Sequence, residues 1–142
     1  DNGCEVVAAV DIPVMASGDI LTPRQARDVL EETGCAAVMI GRAAMSAPWI
    51  FRDVNGLLTT GKSPPPLSRT QVRDIVLAHL ESIYAFHGED SGLRIARKHL
   101  GWYSELLDDA RHARKLLMAA PATSAQFACA SEQLQGWAGA AA

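Results

Sequence analysis

Two short apolar runs on either side of one capped helix limit this chain's fold more than any other feature. Asp11-Ile12-Pro13-Val14-Met15-Ala16 closes on Ser17-Gly18-Asp19, and Cys35-Ala36-Ala37-Val38-Met39-Ile40 closes on Gly41-Arg42-Ala43-Ala44. Apolar runs of that length bounded by turn residues read as buried strands. Pro13 is tolerated near a strand start, where a donor can be missing. Between the runs, Thr22 suits an N-cap, Pro23 the first helical position, and Gln25 completes a T-x-x-Q capping box. Ala26, Val29 and Leu30 recur at helical spacing, and Gly34 suits the left-handed position past the helix end. Strand, helix and strand in that order imply two parallel strands. Their almost purely apolar character implies cover on both faces. One such unit cannot close a sheet by itself.

Residues 1–9 read as the end of a helix. Pro48-Trp49-Ile50-Phe51 is an apolar cluster, more a packing plug than a stacking platform, and a short helix follows through Val54, Leu57 and Leu58. Gly61-Lys62-Ser63-Pro64-Pro65-Pro66 is the clearest linker, because consecutive prolines favour extended polyproline geometry. Everything beyond it reads as helical. A first helix runs from a cap at Ser68 or Thr70 to about Phe86, with a stripe through Val72, Ile75, Val76, Leu80, Ile83 and Tyr84. A loop is expected over 87–92, then helices over 93–107, 109–119 and from about 123, with a frayed tail at 138–142. The expected organisation is therefore an α/β part over 1–60, a Pro-rich linker over 61–68 and a helical domain over 69–142.

The 142 residues are 49% hydrophobic and 20% charged, the balance of a folded globular chain. The net charge of -3 gives no global positive field, so any polyanion site must be a local patch. Cys4, Cys35 and Cys129 lie far apart without a C-x-x-C pair, which disfavours a disulfide scaffold and a zinc site and points to a reducing compartment. No run approaches the ~20 apolar residues of a membrane span. The chain starts at Asp1 without a leader, and the absence of Met raises the expectation of further residues upstream.

Two groups of residues could carry chemistry. In a parallel α/β unit, the turns Ser17-Gly18-Asp19 and Gly41-Arg42 lie at the carboxyl ends of strands, where ligands bind. Glycines let backbone N–H groups approach an anion, helix starts add dipole, and Arg42 can hold a phosphate bidentately. The alternative is that both glycines only serve tight turns and Arg42 is solvated. In the second group, Arg94, Arg97 and Lys98 share a helix face with His99 and Trp102 beside them, a combination suited to RNA phosphates and bases. The alternative is a solvated charged face; residues 69–117 hold eight Lys/Arg and seven Asp/Glu, so composition does not decide. His79, His87 and His112 lack metal-ligand spacing, and no cysteine has a paired base in sequence.

Three ordered segments together resemble a known family. Ile12 to Ile20 resembles the I-P-V-I-A-N-G-D-I segment of bacterial tRNA-dihydrouridine synthases. Val38 to Ala44 with Pro48 to Phe51 resembles the next family segment, and Arg94-Ile95-Ala96-Arg97-Lys98-His99-Leu100-Gly101-Trp102-Tyr103 the signature of its helical domain. The resemblance covers about residues 6–105 and is nearest the DusB-like branch. It implies a TIM (β/α)8 barrel followed by a helical tRNA-binding domain. The implied enzyme is a cytoplasmic flavoprotein that reduces uridine in tRNA to 5,6-dihydrouridine with FMN and NADPH, without a metal. The two strands would be the last two of the barrel, whose loops often hold a phosphate. Ser17, Gly18, Asp19, Gly41 and Arg42 would then hold the FMN phosphate, with Ser17 standing in place of the family's Asn. Arg94, Arg97, Lys98 and His99 would touch tRNA.

None of the three cysteines sits in a motif matching the family's catalytic cysteine, which belongs to an earlier strand. A barrel of this kind needs ~250 residues. The chain is therefore expected to be the C-terminal part of a synthase, inactive by itself. Two other functions compete: a non-catalytic helical RNA-binding module with a partial barrel, and a different phosphate-binding barrel enzyme. The string from Arg94 to Tyr103 speaks against the latter.

Overall fold

The computed structural model describes residues 2–140. The chain divides into two compact units, Asp1–Pro65 and Pro66–Ala142. The first contains α1 (Asn2–Ala9), β1 (Met15–Ser17), α2 (Pro23–Thr33), β2 (Ala37–Met39), α3 (Arg42–Ser46) and α4 (Ile50–Thr60). The two strands are parallel, with Met15 opposite Ala37, Ala16 opposite Val38 and Ser17 opposite Met39. Both are shorter than the apolar runs suggested, because paired backbone spans three residues on each side.

The start and stop of α2 follow its sequence. Thr22 Oγ1 accepts from the Gln25 backbone N–H at 3.2 Å, Gln25 Oε1 accepts from the Thr22 N–H at 3.1 Å, and Gly34 closes the helix at φ 68°. Its buried Ala26 packs with Ile20, Ile50 and Val54, and Val38, Ile40, Ala43 and Ala44 close over that cluster. Of the cluster at 48–51, only Ile50 enters the core, while Phe51 stays exposed. Cover on both sheet faces, expected from the apolar strands, is not found among the described residues. Met15 is 61% and Ile12 71% exposed, since one layer of helices covers only one side of two strands.

The Pro-rich segment is strapped to α4 rather than free. Arg52 Nη2 donates to the Pro65 carbonyl at 2.9 Å. A Cβ on Gly56 would collide with the Pro64 ring, so only glycine admits the strap at that point. A glycine inside a helix costs ~1 kcal/mol relative to alanine, and this close approach is the packing reason for one here.

The second unit is α5 (Arg69–Tyr103), a short 3-10 turn (Ser104–Leu106), α6 (Ala110–Ala119) and α7 (Thr123–Gly139). A capping box between Ser68 and Gln71 starts α5. His79 Nδ1 and Tyr103 Oη are 2.8 Å apart although 24 residues separate them. A straight helix would hold them about 36 Å apart. The segment therefore folds back on itself at Gly88, which lies at φ 72°, ψ -175°. The six-residue loop expected over 87–92 is compressed to this one bend. Leu80 and Ile83 of the first arm meet Ala96 and Leu100 of the second, with Leu117 of α6 and Ala130 of α7. Helix α7 continues through 138 and 139, where fraying was expected; Ala141 and Ala142 lie outside the described residues.

Helix α7 lacks a local cap, because its N-cap is Ala122. Glu89, beside the bend, supplies one: its carboxylate accepts from the Thr123 backbone N–H at 2.7 Å and from the Thr123 hydroxyl. These bonds, to the hydroxyl first, hold the Glu89 carboxyl below its ordinary pKa.

Gly88 occupies a backbone region that is essentially closed to residues with a Cβ. In an ordinary helix interior, Gly→Ala stabilises by ~1 kcal/mol. Gly88→Ala should instead destabilise the protein by ~1–3 kcal/mol, measured by urea denaturation followed by circular dichroism. A more stable variant would contradict the bend.

Candidate functional site

Parallel pairing sends both strands out of the sheet at the same edge. The turn after β1 and the turn after β2 meet there, and Arg42 Nη2 donates to Asp19 Oδ1 at 2.6 Å. Ser17, Asp19, Ile20, Met39, Gly41 and Arg42 line one pocket of about 240 Å³. Four of the five residues expected to hold a phosphate thus share a pocket. Gly18 lines a neighbouring cavity of about 600 Å³ that also touches Ser17, Met15 and Cys35.

Neither Gly18 nor Gly41 adopts positive φ; the left-handed residue of the first turn is Asp19, at φ 46°. Aspartate is among the few non-glycine residues that tolerate this region. The Asp19–Arg42 pair is 58% and 74% exposed, so solvent screens it and its stabilising value is small, ~0–1 kcal/mol. Its importance is geometric, since it links two turns that belong to different strands. Arg42 keeps further N–H donors beyond the one given to Asp19, and a guanidinium is a group that can hold a phosphate.

In the helical unit the expected basic face is only partly basic. Arg94 and Lys98 are exposed. Arg94 Nη2 reaches Ser91 Oγ at 3.3 Å, and Lys98 Nζ lies 5.5 Å from the centre of the Trp102 ring. Arg97 departs from the expectation. It turns inward and donates from Nη2 to the Ala120 carbonyl at 3.0 Å, at the C-terminal end of α6. Arg97 follows directly on the buried Ala96, so it faces a helix end whose carbonyls need a donor. Arg114 does the same for the last turn of α5, donating to the Gly101 carbonyl at 2.9 Å. A Cβ at position 101 would sit 3.2 Å from that guanidinium, which is why a glycine fits this position.

Among the described residues there is no cluster of three or more His, Cys, Asp or Glu able to hold a metal ion, and no helix long and apolar enough to cross a membrane. The three cysteines are unpaired thiols. Cys4 Sγ donates to the Glu32 carbonyl at 3.0 Å, Cys35 is buried, and burial and the charge of Glu132 push the Cys129 thiol pKa up.

Comparison with known proteins places these features. The family model described as dihydrouridine synthase matches residues 4–136. The chain belongs to the dihydrouridine synthase family. It is 49% identical over 124 residues to tRNA-dihydrouridine synthase B of Xanthomonas axonopodis, covering 87% of this chain and 37% of that protein. It is 48% identical over 123 residues to the protein of that name from Pseudomonas aeruginosa, covering 87% and 36%. The protein of that name from Vibrio vulnificus is 42% identical over 132 residues, covering 93% and 40%. The chain spans well under half the length of these relatives. All three sequence segments that suggested the family lie within the matched residues.

One cluster on this family member's helical hairpin was not singled out by its sequence. His79 on the first arm meets His99 on the second, ring centres 4.8 Å apart and edge to face. His99 also meets Trp102 at 5.3 Å. Burial lowers the pKa of His79; burial, then His79 and Lys98, lower that of His99. Tyr103, whose hydroxyl is on His79, is pushed up to about 12 by burial. Both surroundings therefore favour the uncharged imidazole. The 24-residue separation hides this contact, which appears only once the fold-back at Gly88 is known.

Because both pKa values are depressed by folding, the unfolded chain binds protons near its ordinary value of 6.5 that the folded chain refuses. Stability is then full above that value and falls as pH drops below it. The urea midpoint should be lower at about pH 5.5 than at about pH 7.5, and His79→Gln with His99→Gln should flatten the difference. Equal pH dependence in the variant would contradict this assignment.

Proposed function

We propose that this chain supplies the last two strand–helix units of a TIM barrel and the helical unit that follows them in a tRNA-dihydrouridine synthase. The enzyme reduces uridine in tRNA to 5,6-dihydrouridine with FMN and NADPH, in the cytoplasm. The observation that carries this reading is the single pocket where the two strand-end turns meet around Arg42. In (β/α)8 barrels, the loops after strands seven and eight are where phosphate groups often bind. The pocket's one cation and its backbone amides fit a phosphate monoester such as that of FMN. Ser17, Gly18 and Asp19 would contribute backbone N–H groups, and Gly41 and Arg42 the opposing side. FMN, when bound, would relay reducing equivalents from NADPH to the uridine.

The uncovered side of the sheet fits the same reading. Met15 and Met39 are exposed on a two-stranded sheet, as is Ile12 in the segment that leads into it, where further barrel strands would lie. The proton donor to uracil would come from that missing part, since none of the three thiols lies at the pocket. On the helical unit, the exposed Arg94 and Lys98, with His99 and Trp102 beside them, would touch tRNA. Arg97 serves the fold instead.

A chimaera carrying residues 4–136 in place of the matching segment of a curated relative should retain FMN and form dihydrouridine in unmodified tRNA. The 142-residue chain alone, given FMN, NADPH and tRNA, should form none. Product from the isolated chain would overturn the partial-barrel reading. In the chimaera, Arg94→Ala and Lys98→Ala should each reduce the salt dependence of tRNA binding by about one unit of slope. Arg97→Ala should leave that slope unchanged and lower the unfolding midpoint. Unaltered slopes for Arg94→Ala and Lys98→Ala would return this face to a solvated surface.

A further inference from the structure

Asp19 cannot serve a phosphate with its own side chain. A carboxylate carries no proton to donate, and its charge repels a phosphate. Yet it lies at the pocket, 2.6 Å from the only cationic side chain lining it. It also stands in a left-handed backbone conformation, the only non-glycine residue to do so among those described. Glycine would fill that conformation with less strain. A side chain kept where glycine is easier points to use of the side chain.

We propose that Asp19 is a positioning residue that orients Arg42 towards the phosphate of FMN. The inference rests on the phosphate reading of this pocket. Arg42 springs from the residue after the β2 turn and is 74% exposed, so without a partner its long side chain would sample many rotamers. Asp19 takes one Nη2 donor and leaves Nε and Nη1 in the plane of a now fixed guanidinium. An arginine held in place before the ligand arrives loses less freedom when the ligand binds. The cost is repulsion between the carboxylate and the phosphate. The bound Arg42 lies between these two anions and offsets it. Asp19 is then felt by ligands that carry the phosphate and not by flavin that lacks it.

The test is a double-mutant cycle in the chimaera, read as flavin binding by fluorescence quenching rather than as activity. Asp19→Ala should weaken FMN about three- to tenfold and leave riboflavin, which has no phosphate, unchanged. In an Arg42→Ala background, Asp19→Ala should have no further effect on FMN. Asp19→Asn, close to isosteric, guards against a folding defect and should weaken FMN by less, since an amide oxygen still accepts from Arg42. If Asp19→Ala weakens FMN equally with and without Arg42, or weakens riboflavin as much, Asp19 only shapes the turn and the inference fails. Tighter FMN binding in Asp19→Ala would also overturn it, since repulsion would then dominate. If Arg42→Ala by itself leaves FMN binding unchanged, the phosphate pocket itself is refuted, a result distinct from the others.

Discussion

Parallel pairing of Met15–Ser17 with Ala37–Met39 is the constraint on which the rest of the first unit depends. Two parallel strands need a crossover between them, and α2 provides it with a capping box at one end and Gly34 at the other. Because the strands run the same way, Ser17 and Met39 leave the sheet side by side. The chain then delivers Asp19 and Arg42 to one pocket although 23 residues separate them. An antiparallel pair would put the two turns at opposite ends and leave Arg42 without its partner. The chemistry proposed for the pocket is thus a consequence of strand direction more than of any single side chain.

The helical unit depends on donors and acceptors placed at helix ends. Gly88 folds α5 back, which brings Glu89 to the start of α7 and Arg97 to the end of α6. An acid at a helix start and a base at a helix end are the arrangements that the helix dipole favours. Arg114 at the Gly101 carbonyl completes the set. This use of charge explains why a helix with three basic residues in five positions, 94 to 98, presents only two of them to solvent.

Much of this was legible in the sequence where the signal is local. Thr22, Pro23 and Gln25, the left-handed Gly34, and a cap at Ser68 or Thr70 are local signals, and the structure has each of them, with Ser68 as the cap. The meeting of the two turns followed from strand order. What the sequence hid was long-range or conformational. Arg97 matches the spacing of an exposed face, and only the position of Ala120 reveals its other partner. The contact of His79 with His99 and Tyr103 needs the bend at Gly88, and a glycine near polar residues reads equally well as a loop. The strap of Pro64 and Pro65 on α4 carried one signal, Gly56 inside a helix, which spacing arguments pass over.

On the proposed reading, the two strand-end turns around Arg42 hold the phosphate group of FMN, and a crystal structure of the FMN-loaded chimaera would show whether they do. The FMN phosphate should lie within hydrogen-bond distance of Arg42 and of backbone amides in the Ser17–Asp19 turn, with Asp19 still on the Arg42 guanidinium. A phosphate bound elsewhere in the barrel, with Arg42 turned to solvent, would contradict it.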